Sequence, residues 1–269
     1  MQRRILIVDD HNGLAGSLGE AFGQMGHFVR TIHSRSEAAA VDDIESFDLL
    51  ISNLDVANEQ PTQSVCTSPS SCPACSTLIG DREQATIFKL CATNFRRAEF
   101  DEDEVCKLVA TVLEHKLRSS GTCSTPNSVR EYIEFELPSV IGLMHTVLEY
   151  LMRRVETRGL TNPERSNLFV ALDEAFVNAV KHGNKYDPTK LVRLAASISS
   201  TEARFVVEDQ GEGFNVKAIA DPLDPENLFK TSGRGVLFIH NIMDEVTYNE
   251  RGNRLTMVKR GDTVTLEKA

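Results

Sequence analysis

Leu168-Phe-Val-Ala-Leu-Asp-Glu-Ala-Phe-Val-Asn-Ala-Val-Lys-His-Gly-Asn184 is the stretch whose reading decides the fold. Leu168, Leu172, Ala175, Phe176, Ala179 and Val180 recur at helical spacing and predict a buried stripe. Asn162-Pro163 reads as an N-cap with proline at the first helical position, Glu164 falls in the first turn, and Gly183 follows the end. Glu174, Asn178 and His182 stand at i, i+4 and i+8, so the spacing predicts one column along the helix. A carboxylate one turn from a carboxamide oxygen suits an Mg-nucleotide, because Mg²⁺ takes few hard oxygen ligands from protein and completes its shell with phosphate and water. The plainer reading is a solvated polar face, and this helix alone does not separate the two.

Two later stretches do. Ala203-Arg-Phe-Val-Val-Glu-Asp209 reads as a strand, and Asp209-Gln-Gly211-Glu-Gly213 as the turn leaving it, with two glycines that allow positive φ and close backbone approach to a ligand. A carboxylate at a strand end can accept a hydrogen bond from an exocyclic amine, which distinguishes adenine from guanine. In Ser232-Gly233-Arg-Gly235-Val-Leu-Phe-Ile-His-Asn-Ile-Met-Asp244, glycine-rich backbone feeds the N-terminus of an apolar helix, an arrangement that holds phosphate. Each motif alone is weak, and an Asp-x-Gly turn is common between strands. All three, in order and at domain-scale spacing, are specific.

On these residues the chain resembles the ATPase family that includes histidine kinases, the Hsp90 and DNA-gyrase ATPase domains and the anti-sigma-factor serine kinases. Glu174-x-x-x-Asn178-x-x-x-His182 is similar to that family's N box, Asp209-x-Gly211-x-Gly213 to its G1 box, and Gly233-x-Gly235 to its G2 box. The resemblance is closest to the anti-sigma serine kinases, because Ser232-Gly through Met243-Asp-Glu-Val246 follows their pattern and Glu174 stands where they carry a general base. It covers roughly Val129 to Lys259. It implies ATP and Mg²⁺ as ligands, with Asn178 on Mg²⁺, Asp209 on the adenine amine, and Gly211 and Gly213 close to the base. Ser232, Gly233 and Gly235 would hold phosphates, and Glu174 would accept the proton of an incoming hydroxyl. His182 is read either as a phosphate contact or as packing at the helix end.

The 269 residues suggest two domains of ordinary size, and 41% apolar content can fill two cores. A formal net charge of −10 argues against nucleic-acid binding, which needs clustered Lys and Arg. There is no apolar run of the ~18–20 residues that span a bilayer and no signal peptide before the first strand, so the expectation is a soluble, cytoplasmic bacterial protein with no membrane role. Cys66, Cys72, Cys75, Cys91, Cys106 and Cys123 are read as free thiols; Cys72-x-x-Cys75 with Cys66 lacks the second ligand pair that a structural zinc needs.

In the first half, Arg3-Arg-Ile-Leu-Ile-Val-Asp9-Asp10 is an apolar strand ending in two acids, followed by a helix (Leu14, Leu18, Ala21, Phe22, Met25), a strand at Gly26–Ile32, a helix capped by Ser36, and a strand at Phe47–Asn53. Alternating strands and helices predict a doubly wound parallel sheet. The pattern resembles a response-regulator receiver over residues 1–118. Asp9 and Asp10 fit the receiver's acidic Mg²⁺-binding pair, but Asn53 stands at the phosphoacceptor position. Asp55, two residues on, would share its strand face. With Asn94–Phe100 taken as the fifth strand, Ala98 replaces the family's lysine beside Arg97, and Gly80 falls where its switch hydroxyl belongs. The reading is a pseudo-receiver used for docking or dimerisation.

Residues Gln60 to Cys75 read as an irregular Ser/Pro/Thr-rich loop, Glu102–Leu117 as a helix, and 119–128 as a linker. Over 129–269, a strand at Val129–Leu137 leads into a helix from Pro138 to about Arg158. Strands follow at Leu191–Ile198, Arg204–Glu208, Val246–Tyr248 and Leu255–Val258, with Arg251-Gly-Asn253 as a hairpin turn. This fits an α/β sandwich of the Bergerat type that the resemblance implies, with Phe214–Thr231 as its nucleotide lid.

The expectation is an ATP-dependent protein serine/threonine kinase acting on a small anti-sigma-antagonist-like protein, with a sigma factor and a second copy of the chain as further partners implied by the resemblance. The alternative is a non-catalytic, ATP-gated binding module. A histidine kinase fits less well, since His145 lacks the His-Glu-x-x-x-Pro phosphoacceptor pattern. A dehydrogenase is disfavoured because neither half has a Gly-x-Gly-x-x-Gly turn after a first strand.

Overall fold

Every residue of Arg4–Asp9 (β1) after Arg4 itself is buried, as a strand paired on both edges and covered on both faces requires. The computed structural model describes residues 2–10, 13–56, 85–92, 95, 100–120, 130–160, 167–214 and 234–261. Gly13–Gln24 (α1) turns Leu14, Ala15, Leu18 and Phe22 inward. Phe28–Ile32 (β2) and Leu49–Val56 (β3) both pair with β1 in parallel. Between them lies the short helix Arg35–Ala39 (α2), capped by Ser34 rather than Ser36: the Ser34 Oγ accepts a hydrogen bond from the Glu37 N–H at 3.2 Å.

The doubly wound parallel sheet expected of the first half ends there. Ala85–Cys91 (β4) lies antiparallel to β3, with Asn53 opposite Phe88, and its other edge pairs in parallel with Arg130–Pro138 (β5). What the strand buries accounts for its place. Phe88 and Leu90 enter the main core, while Cys91 joins Leu6, Val8, Leu50 and Leu54 on the opposite face. Phe88 meets Phe135 and Tyr150 at ring-centroid distances of 6.2 and 5.8 Å, within the range of favourable aromatic pairs. Antiparallel direction costs nothing in hydrogen bonding.

Of the fifth strand expected at Asn94–Phe100, only Phe95 and Phe100 are described, and neither is in a strand. Phe95 sits in a helical turn, lies under the Arg3 guanidinium at 4.7 Å and packs edge-on against Phe100. Gly80, Arg97, Ala98, Cys66, Cys72, Cys75 and Cys123 lie outside the described residues.

Glu102–Ser120 (α3) begins with Glu102, Asp103 and Glu104, which oppose the positive end of its dipole. It packs on α1 and on Gly142–Thr157 (α4). Pro138 closes β5 instead of opening α4, and the helix starts at Gly142. Arg154 on α4 sends Nε to both carboxylate oxygens of Glu131 on β5, at 3.0 and 3.1 Å, with both residues buried.

Leu168–Asn178 (α5), Leu191–Ile198 (β6), Glu202–Asp209 (β7), Arg234–Ile242 (α6), Glu245–Tyr248 (β8) and Arg254–Arg260 (β9) complete the described elements. The Asn162-Pro163 cap and Glu164 lie outside the described residues. From β5 onward the neighbours β6, β7, β9 and β8 pair antiparallel, so the described strands form one mixed sheet in the order β2-β1-β3-β4-β5-β6-β7-β9-β8. A single core runs along the helix-covered face from Ile5 and Phe22 through Phe88 and Phe135 to Phe176, Phe205 and Met257. The sheet therefore continues across the position read as a linker. No described helix is long and apolar enough to cross a membrane.

Candidate functional site

Helix α5 buries Leu168, Ala171, Leu172, Ala175 and Phe176, leaving Glu174 and Asn178 half-buried one turn apart on its other side. The third member of the expected column, His182, lies beyond the α-helical part. Ala179–Gly183 winds as a π turn, with the Asn184 N–H bonded to Ala179 O at 2.8 Å and the Tyr186 N–H to Val180 O at 2.9 Å. His182 lies on this wider turn, and its side chain is exposed. Single-turn π segments are often found at functional sites, and Lys185 and Tyr186 follow this one at φ 57°, a backbone region that side chains seldom occupy.

The turn ends against the loop that leaves β7. Gly183 faces the carboxylate of Asp209, whose Oδ1 accepts the Gly211 N–H at 2.8 Å. Burial raises the Asp209 pKa. The Gly211 bond opposes the rise, the neighbouring Glu208 adds to it, and Arg251 and Lys190 pull it back. Asn184, fully buried, ties the surroundings together. Its Nδ2 donates to Ser139 Oγ at 2.7 Å and to Leu191 O at 2.8 Å, and its Oδ1 accepts the Gln210 N–H at 2.8 Å. Gln210 Oε1 in turn accepts the Leu191 N–H at 3.0 Å.

The other side of the loop is gripped by the β8–β9 hairpin. Asn253 Nδ2 donates to Asp209 O at 2.8 Å, and the Asp209 N–H returns a bond to Asn253 O at 3.0 Å. Arg251 Nη2 donates to Gly211 O at 2.8 Å. The Phe214 N–H reaches Arg251 O at 3.1 Å, and Phe214 packs edge-on against Tyr248 at 5.3 Å. Gly213 takes φ 77° with its Cα against the Arg251 carbonyl, so both its conformation and its space exclude a side chain. Sequence reasoning took Arg251-Gly-Asn253 only as a turn and Gly183 only as a helix end. The signal available for the hairpin was its polar Asn249–Asn253 run, which brackets the turn with side chains able to bond backbone.

Helix α6 closes the third side. Any Cβ on Gly235 would collide with the Glu174 carboxylate, so the start of α6 and the acid on α5 are in contact. The structure thus joins Glu174 to Gly235, and Asp209 to Gly211 and Gly183, around one end of α5. Ser232, Gly233 and the expected lid from residue 215 onward lie outside the described residues.

In the first half, Asp9 is fully buried and its oxygens are engaged. Oδ2 accepts the Leu14 and Ala15 N–H groups at the start of α1, at 3.0 and 2.9 Å, and Oδ1 accepts Asn53 Nδ2 at 2.8 Å. Lys116 of α3 donates to Asn53 Oδ1 at 2.6 Å and lies over the Phe88 ring at 5.4 Å. No group of three or more His, Cys, Asp or Glu that would hold a metal occurs among the described residues. Asp55 lies on β3, and its side chain falls outside the description.

Comparison with known proteins bears on the second half. Residues 137–259 match the Histidine kinase-like ATPase domain family. Two serine-protein kinases named RsbW are similar to the chain: that of Staphylococcus epidermidis is 31% identical, and that of Staphylococcus aureus strain JH9 is 27% identical. Each similarity covers 49% of this chain and 88% of the relative. The three motifs lie within the matched segment. Through this half, the chain belongs to the histidine kinase-like ATPase family of the RsbW serine-protein kinases.

Proposed function

We propose that the chain is an ATP-dependent protein serine/threonine kinase of the anti-sigma-factor type, which phosphorylates a small anti-sigma-antagonist-like protein in partner switching. The carrying observation is the contact of the Glu174 carboxylate with Gly235 at the start of α6, one helical turn from Asn178. An acid so placed borders the backbone that would receive the phosphates, and nucleotide binding alone has no use for a base there. The donor set also fits the nucleotide. Asp209 keeps one carboxylate oxygen on the Gly211 N–H, and the same group can accept an exocyclic amine. Asn178 offers a hard oxygen beside the phosphate region, as Mg²⁺ prefers.

The division of labour follows from these positions. Asp209 orients the base, and Gly211 and Gly213 let the backbone close on it. Asn178 holds Mg²⁺, which would neutralise phosphate charge when bound. Ser232, Gly233 and Gly235 supply N–H groups and positive helix-end potential to the phosphates. Glu174 takes the proton from a serine or threonine hydroxyl as its oxygen bonds to the γ-phosphorus and the bond to the ADP oxygen breaks. His182, exposed on the π turn, would be available to contact phosphate. The first half acts as a docking or dimerisation module in a cytoplasmic protein, because Asn53 supplies no carboxylate to phosphorylate.

A second reading, an ATP-gated binding module without transfer, is favoured by that same bonded Asn53. ATP binding measured with and without Mg²⁺, on wild type and Asn178→Ala, tests the site: Mg²⁺ dependence in wild type and its loss in the variant support it, and no binding by wild type overturns it. Transfer of labelled phosphate to a candidate antagonist, abolished by Glu174→Ala with ATP binding retained, separates kinase from gated binder.

A further inference from the structure

What most closely bars a side chain at Gly183 is the Asp209 carboxylate. Its φ lies outside the left-handed region, since only Gly26, Gly159, Gly213 and Gly252 among the described glycines have positive φ. Alanine would therefore be conformationally acceptable there. The three atoms nearest to a Cβ built on Gly183 are Cγ, Oδ1 and Oδ2 of Asp209, all at distances that real Cβ atoms do not show. No backbone atom is as close. The nearest obstacle is one side-chain carboxyl, and the converse holds too: the missing side chain at Gly183 makes the space in which that carboxyl lies.

The π turn sets this contact. With Asn184 N–H bonded to Ala179 O and Tyr186 N–H to Val180 O, the chain leaves α5 so that Gly183 faces the carboxylate while Asn184 holds the N–H of Gln210, the next residue in the loop. Gly211 shares the arrangement, because a Cβ there would strike the Gly183 carbonyl. A carboxylate wedged between Gly183 and the Gly211 N–H has little rotational freedom, and hydrogen-bond recognition discriminates only when the acceptor is held in place.

We infer that Gly183 is a specificity-determining positioning residue, which fixes the Asp209 carboxylate for an adenine-type exocyclic amine and so sets selection of ATP over GTP. This rests on the reading that Asp209 receives the base. A side chain at 183 pushes the carboxylate off its position while leaving the fold intact, because the atoms displaced are the free end of one side chain.

The test is a double-mutant cycle on the full chain, with ATP and GTP affinities from titration calorimetry and melting temperatures for Gly183→Ala, Asp209→Ala and the pair. Gly183→Ala is expected to weaken ATP about tenfold or more, the scale of one hydrogen bond to a charged group, and to narrow the ATP-to-GTP ratio. In the Asp209→Ala background the same change should alter ATP affinity by less than about twofold and leave the melting temperature where Asp209→Ala put it, since the obstructing group is gone. The inference is overturned if Gly183→Ala binds ATP like wild type, if its effect is equally large without the Asp209 carboxylate, or if it unfolds the chain in both backgrounds. An Asp209→Ala variant with wild-type ATP affinity would instead remove the base-site reading beneath it.

Discussion

Lys116 Nζ and Asn53 Oδ1 lie 2.6 Å apart, and this bond carries α3 onto the strand end where a receiver would have its phosphoacceptor. Asn53 passes the link on, donating to the buried Asp9. Asn53→Asp would set two carboxylates against each other across the 2.8 Å now spanned by a hydrogen bond. It should destabilise the chain by about 1–3 kcal/mol at neutral pH, with Lys116 offsetting part of the repulsion. One acid of such a pair takes a raised pKa, so the loss should shrink on acidification. Melting temperatures of wild type and variant across pH check this, and a variant as stable as wild type at neutral pH would contradict it. Wild type should take no label from a small-molecule phosphodonor in this half.

The buried Glu131–Arg154 pair makes a second prediction. Arg154→Met leaves Arg158 as the cation facing Glu131 among the described residues, with its Nε 3.9 Å away, and should cost about 3–5 kcal/mol in denaturant unfolding. Glu131→Gln added to Arg154→Met should recover part of that loss, because the uncompensated charge is then removed. An additive double variant would show that the two side chains are not energetically coupled.

Asp209 gives a pH-dependent prediction. Its folded pKa is raised, mainly by burial, above the ordinary value of 3.8. The folded chain therefore binds that proton more tightly than the unfolded chain. The stabilising contribution is present below the unfolded value and is lost as pH rises through the folded one. Asp209→Asn keeps an acceptor for the Gly211 N–H without the charge. At neutral pH the variant should melt above wild type while binding ATP more weakly, and the gap in melting temperature should close toward acid pH.

Phe88→Ala tests how far the two halves act together. The ring is fully buried between Phe135 and Tyr150, and its loss should cost about 3–5 kcal/mol. With one sheet and a main core that runs through both halves, the variant should still unfold in a single calorimetric transition at lower temperature. Two separated transitions would show that the halves fold independently.

Much of the second half was legible in the sequence because its motifs are local. The helix around Glu174 and Asn178, the strand into Asp209 and the turn at Arg251–Asn253 each declare themselves within a dozen residues. The π turn at Ala179–Gly183 was not legible, since α and π turns have the same sequence grammar and differ only in which carbonyl each N–H selects. Gly183 and Asn184 take their meaning from Asp209 and Gln210, some 26 residues away, and spacing along one helix says nothing about that. The first three strands were readable as alternating β and α. The fourth was not: Ala85–Cys91 is a short apolar run that fits either strand direction, and counting along a receiver's order placed a strand at 94–100 instead. Its pairing was decided by Phe88 and Cys91 filling cores on opposite faces, a tertiary fact.

The β4–β5 pairing also bears on how the chain can be cut. Parallel pairing runs from Ala85–Arg130 to Cys91–Glu136, so a fragment starting at residue 129 keeps every ATPase motif but bares the β5 edge from Arg130 to Glu136. Open edges recruit strands from other molecules. The amputated ATPase half should be sticky and prone to self-association, and any oligomer it forms through β5 would be an artefact of truncation, filling a place that β4 occupies in the intact protein.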